Sequence, residues 1–213
     1  MSQNTLDNTI ILTSSTHSFN FEWQSGEKHI QITWSSDVNL FFLIHNANIK
    51  LIIDVVDEKC SVSCAAIIVS AWNIPSSIDF AVTLKASYTK ADIYALWLLW
   101  NNAKAVVNGG VVINQWLIQV EGYLAEENLL LGEKIQIKTL PMLDVRSNDV
   151  KASHGATISR LDEQKLFYLT SKWLPKQQAE QLMIQSYIQK ALDHAKVEEW
   201  EWLIDRIFAL LLK

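Results

Sequence analysis

The sequence predicts a mainly β chain that ends in α-helix, and three observations carry that reading. From about Phe19 to Ala152, short runs rich in Val, Ile, Leu and aromatic residues follow one another roughly every ten to fifteen residues, several of them alternating in period two. Polar or turn-forming links separate the runs. After Thr157 the apolar residues fall at helical spacing instead.

In chain order the extended runs are "HIQITW", "VNLFFLI", "NIKLIIDVV", "CSVSCAAIIVS", "SIDFAVTLKA", "DIYALWLLW", "AKAVVNGGVVI", "WLIQVEGYL" and "KIQIKTL". The links between them include "NAN", "DEK", "NIPSS" and "SYTKAD". Only "VVNGGVV" carries a strong hairpin signal. Many short strands with few Gly and Pro fit a sandwich, a barrel or a parallel β-helix, and periodicity alone does not separate these. The body is assigned to residues 1–157 and a helical segment to 158–213.

Within the helical segment, "LDEQKLFYLTSKW" spaces Leu166, Leu169 or Thr170, and Trp173 helically, with Asp162 and Glu163 where acids favour a helix start. The next helix begins at Pro175, acceptable at a first helical position, and spreads Ala179, Leu182, Met183, Ile184, Tyr187, Ile188, Ala191, Leu192 and Ala195 over a wide face. The last places Trp200, Leu203, Ile204, Ile207, Phe208 and Leu211 on one stripe. Three short helices packed on each other cannot hide all of these residues. Either a partner or the chain's own β body must cover them.

Composition narrows the function classes. The chain has 213 residues, 49% apolar and 19% charged, with a net charge of −5, which suits one globular unit and not a disordered chain. No basic patch for nucleic acid is evident. The start, "MSQNTLDNTIILTSSTHSF", does not read as a signal peptide, and no apolar run approaches the ~20 residues that span a bilayer. The expected location is the cytoplasm. If Cys60 and Cys64 share a strand, four residues of ~3.3 Å rise place their α-carbons roughly 13 Å apart. A disulfide needs less than about 7 Å, so both are expected to be thiols in the core.

No catalytic motif appears: there is no phosphate loop, no Gly-x-Ser-x-Gly elbow and no His-Glu-x-x-His. Histidines 17, 29, 45, 154 and 194 are scattered, and "VEEWEW" reads as favourable charge near a helix start. Binding or structural roles therefore outrank catalysis. His154 is the exception. The stretch "DVKASHGATISRLDEQKLFYL" begins as a strand and ends as a helix, with His154 and Gly155 read as the join. Alternation puts Val150, Ala152 and His154 on one apolar side. A buried histidine bonded to backbone and a metal-ligating imidazole both fit.

The segments "NLLLGEKIQIKTLPMLDVRSNDVKASHGAT" (Asn128 to Thr157) and "RLDEQKLFYLTSKWLPKQQAEQLMIQSYIQKAL" resemble the C-terminal signature of the SufB/SufD family, scaffold proteins of the SUF iron–sulfur cluster assembly system. The resemblance runs from about Asn102 to Leu192. It implies a right-handed parallel β-helix followed by helices, and a non-enzymatic scaffold. On that reading the chain pairs with a SufB-like protein or a second copy of itself. It docks a SufC-like ATPase through helices bearing Phe167, Tyr168, Leu182, Met183 and Tyr187. His154 matches a histidine implicated in the nascent cluster site, so a transient iron–sulfur cluster is expected to be shared with a partner, none being held by this chain alone.

Gly155 in place of Glu after the histidine, and no cysteine between Gly122 and Val150, resemble SufD more than SufB. The chain also departs from the family. Ala152 replaces a frequent Cys, "SKW" replaces "S-R-G", and members are about twice as long, which reads as an N-terminally shortened form. A structural or adaptor β-helix that binds no iron, possible as a homodimer, is the alternative.

Overall fold

From the second strand onward, every second strand in chain order joins the same sheet, so the chain winds as a coil between two facing sheets. The structure is a computed structural model that describes residues 3–6, 9–12, 18–23, 25–33, 37–197 and 201–212. The strands are β1 (Gln3–Leu6), β2 (Thr9–Leu12), β3 (Ser18–Trp23), β4 (Gly26–Ile32), β5 (Asp37–His45), β6 (Asn48–Val55), β7 (Ser61–Ser70), β8 (Pro75–Leu84), β9 (Lys90–Leu99), β10 (Lys104–Ile113), β11 (Ile118–Leu130), β12 (Gln136–Val145) and β13 (Asp149–Arg160). Helices α1 (Glu163–Ser171), α2 (Lys176–His194) and α3 (Glu201–Leu212) follow.

One sheet has the order β1-β2-β4-β6-β8-β10-β12 and the other β13-β11-β9-β7-β5-β3. All neighbours are parallel except β1 and β2. This is the parallel β-helix that the resemblance implies, and neither a sandwich nor a barrel. A parallel neighbour is reached by completing a coil and not by a tight turn, which explains the scarcity of hairpin signals.

The two sheets differ in pattern because they differ in what covers them. Strands β5, β7 and β9 are buried almost end to end. Their inner faces (Leu40, Phe42, Cys64, Ile93, Trp97) fill the lumen between the sheets. Their outer faces (Phe41, Leu43, Ile67, Leu96) lie under Ile188, Leu192, Ile207 and Leu211 of α2 and α3. Strands covered on both faces read as continuous apolar runs. In the other sheet β6 and β10 alternate buried with exposed residues, one face being solvated.

The wide helical faces are thus largely satisfied by the chain's own β body. Trp200 lies outside the described residues. Tyr94 Oη donates to Glu127 Oε2 at 2.7 Å, and Lys190 from α2 pairs with the same carboxylate, so a polar clasp sits beside the apolar contact.

Asparagines staple one corner from coil to coil. Asn46 Oδ1 accepts from the Ala71 amide at 2.8 Å, Asn48 Oδ1 from Ser77 at 3.0 Å and Asn101 Oδ1 from Glu133 at 3.0 Å. Cys60 and Cys64 are buried and form no disulfide. Burial pushes the Cys64 thiol up to about 12.

Two sequence expectations need correction. "VVNGGVV" is not a hairpin: Asn108, Gly109 and Gly110 lie inside β10, held on both sides by β8 and β12. The glycines serve space. A Cβ on Gly109 would lie 2.1 Å from Phe80 Cε1, and one on Gly110 would lie 2.8 Å from the Met142 carbonyl oxygen. Nor is the His154–Gly155 pair a strand-to-helix join. Strand β13 runs on to Arg160, and α1 begins only after Asp162, whose carboxylate accepts from the amides of Gln164 and Lys165.

Candidate functional site

The coil formed by β12 and β13 is the last in both sheets, so each strand has a neighbour on one side only. Its lumen is open at that end. Val111 and Ile113 of β10 are fully buried, whereas their register partners on β12, Leu143 and Val145, are 38% and 39% exposed. Ile158 of β13 is 50% exposed. Pro141 stands within β12, a position that suits a strand with an open edge. Two long open edges with apolar inner residues form a template for another chain.

His154 sits at this end. It pairs in register with the buried Leu124 of β11, and it shares a face with Val150 and Ala152, which pack on the lumen core. The alternation read from the sequence therefore holds. Of the two generic readings, the histidine bonded through the ring to backbone is not what Nε2 shows. That atom is shielded from solvent and has no hydrogen-bond partner. Burial holds the imidazole below its ordinary pKa, favouring the neutral form that ligates metals. An orphan ring nitrogen on the inner face of the open last coil fits a ligand for iron or a cluster.

Sequence reading missed Glu126. It is 2% exposed and lies on the inner face of β11, two residues beyond Leu124. Its Oε2 accepts from Thr139 Oγ1 of β12 at 2.8 Å, while Oε1 is buried without a partner. Burial raises its pKa, opposed in part by the Thr139 hydrogen bond. Gly109 makes room for it, since a Cβ there would meet Oε1 at 2.7 Å. The available signal was parity: Glu126 shares that of Val120 and Leu124, which becomes visible only once "AEENLL" is read as a continuation of the strand. Beyond Glu126, Asn128 Nδ2 donates to the Thr157 carbonyl at 3.0 Å, tying β11 to β13. Among the described residues no three His, Cys, Asp or Glu side chains converge on a metal position.

A second surface lies on the helices. Helix α1 buries none of its residues, and Phe167 and Tyr168 are 75% and 61% exposed. Tyr168, Leu169, Leu182 and Met183 line a groove between α1 and α2. Leu182 is exposed at its rim, Met183 is buried, and Tyr187 is half-buried against the outer core. Phe167, Tyr168 and Leu182 thus stand in solvent, while Met183 and Tyr187 already touch the chain itself. Trp173 has φ 67°, the left-handed position that ends many helices and favours glycine. The departure "SKW" falls on that residue. Among the described residues no helix is long and apolar enough to cross a membrane.

The chain is 37% identical over 87 residues to the iron-sulfur cluster assembly protein SufD of Escherichia coli, covering 41% of this chain and 21% of that protein. It is 37% identical over 91 residues to an iron-sulfur cluster assembly SufBD family protein of Synechocystis, covering 43% of this chain and 20% of the relative. It is 29% identical over 98 residues to SufD of Bacillus subtilis, covering 46% and 22%. The matches span about a fifth of these relatives' length. The family model described as "SUF system FeS cluster assembly, SufBD core domain" matches residues 6–187, which takes in nearly the whole β-helix, α1 and the first part of α2. The chain belongs to the SufBD core family of the SUF iron–sulfur cluster assembly system.

Proposed function

We propose that this chain is a SufD-like, non-catalytic scaffold component of iron–sulfur cluster assembly. The observation that carries the reading is the open last coil. Leu143, Val145 and Ile158 leave apolar surface uncovered where inner coils bury it, and the edges of β12 and β13 offer unpaired backbone groups. A SufB-like protein adding its own strands there would cover the lumen and bring further ligands to His154. The cluster is cargo held between the two chains, with His154 Nε2 supplying one donor from this side. The exposed α1 face, with Phe167, Tyr168 and Leu182 around Met183 and Tyr187, is the docking surface for a SufC-type ATPase. The complex works in the cytoplasm.

The test is co-purification of the chain with SufB-like and SufC-like proteins of the same organism, with stoichiometry by light scattering. Leu143→Arg is expected to lose the SufB-like partner and keep the ATPase. Tyr168→Ala with Leu182→Ala is expected to do the reverse. His154→Ala is expected to keep both partners and lose cluster assembly. Full cluster assembly by His154→Ala would overturn its ligand role.

A second reading, an adaptor β-helix without iron, takes support from Ala152 two residues before the histidine and from the lack, among the described residues, of three converging ligands. It predicts partner binding with no effect of His154→Ala.

A further inference from the structure

Buried polar atoms without partners are costly, about 1–3 kcal/mol each, so two of them on one face of adjacent strands require an explanation. Four such side-chain atoms occur among the described residues: Ser76 Oγ, Asn108 Oδ1, Glu126 Oε1 and His154 Nε2. The last two share a face on neighbouring strands. His154 is in register with Leu124, and Glu126 is the next inward-facing residue along β11. One strand spacing and a two-residue step separate their α-carbons by about 8 Å, within reach of a carboxylate and an imidazole that meet on one ion. The carboxylate is positioned from two sides, Thr139 Oγ1 holding Oε2 and the bare Cα of Gly109 leaving room for Oε1.

We infer that Glu126 and His154 together form a two-donor site for a divalent transition-metal ion at the open end of the lumen, Glu126 Oε1 and His154 Nε2 being its protein ligands. This rests on the scaffold reading only in giving His154 a ligand role. It adds a ligand from the same chain. A carboxylate and an imidazole suit borderline ions such as ferrous iron or cobalt, and leave the remaining positions to water or to a partner's groups.

The test is anaerobic titration of the full chain with Co²⁺, followed by its visible absorption. The wild type is expected to bind one ion. Glu126→Gln and His154→Gln are each expected to weaken binding at least tenfold, and Glu133→Gln, at an exposed acid, is expected to leave it unchanged. Glu126→Gln preserves shape and an acceptor for Thr139, so a merely structural carboxyl would leave cobalt affinity unmoved. Loss in His154→Gln alone would overturn the pairing while sparing the ligand role of His154. Absence of one-to-one binding by the wild type would overturn the inference, whereas the co-purification experiment decides the scaffold reading separately.

Discussion

Gly109→Ala should destabilise the protein, although the general expectation for a strand glycine is the opposite. Replacing Gly by Ala at a compatible backbone conformation stabilises by about 0.4–1 kcal/mol through the unfolded chain. At position 109 the added carbon would lie 2.1 Å from Phe80 Cε1, 2.4 Å from Cζ and 2.7 Å from Glu126 Oε1. Carbon atoms rest at about 3.5–4.0 Å, so the ring must retreat by about 1.4 Å or more, and Glu126 must yield although Thr139 holds it. Overpacking of this kind costs about 1–3 kcal/mol. The net loss is about 1–2 kcal/mol, which lowers Tm by roughly 2–8 °C for a chain of this size.

Gly155→Ala is the matched control. Nothing lies within 4 Å of its added carbon, so it should hold or raise Tm. Thermal unfolding followed by far-UV circular dichroism reads both. Phe80→Leu combined with Gly109→Ala should recover part of the loss, because the two positions share one volume. A Gly109→Ala variant as stable as the wild type would refute the packing argument and the account of why β10 carries glycines.

Further expectations follow from single features. Trp173→Gly relieves a left-handed tryptophan and should stabilise the end of α1 by about 1 kcal/mol, seen as slower amide exchange in that helix. Asp162→Ala removes the acceptor for the Gln164 and Lys165 amides and should cost about 1 kcal/mol locally, with faster exchange in α1 but not in β9. Burial raises the Glu126 carboxyl above 4.5, so the folded chain keeps a proton that the unfolded chain releases first, and stability falls as pH rises from 4.5 through the folded value. Glu126→Gln should therefore match the wild type below pH 4.5 and exceed it at neutral pH in urea titrations. Cys64, raised from 9.0 to about 12, should resist Ellman's reagent at pH 8 in the folded chain and react after denaturation.

The distinction between the two sheets was written in the runs themselves. "VNLFFLI" and "DIYALWLLW" are continuous because lumen and helices cover both their faces, while "NIKLIIDVV" alternates because water covers one. Periodicity could not say that alternate runs pair with one another, because register across a coil depends on residues well apart in sequence. The face of His154 was legible from Val150 and Ala152, a local parity. The face of Glu126 follows the same kind of parity with Val120 and Leu124, but its role was not legible, because its cradle comes from Gly109 on another strand and Thr139 on the next coil. Asn108-Gly109-Gly110 misled for the same reason. Local turn chemistry favours a hairpin there, and Phe80 and Met142, which decide otherwise, lie on neighbouring coils.

Winding also sets how the chain folds. Residues paired across parallel strands lie between 20 positions apart (Thr9 and His29) and 32 (Lys104 and Gln136). Closing each coil thus costs nearly the same loop entropy wherever it lies, and further coils would lengthen a chain without lengthening the loops it must close. Stability then accumulates as a chain of nearest-neighbour terms. An inner coil has two neighbours and the β12–β13 coil has one, so native-state hydrogen exchange should open there before it opens at β7 or β9. A protein seated on that end supplies the second neighbour, and the coil that frays first becomes the one most strengthened by assembly.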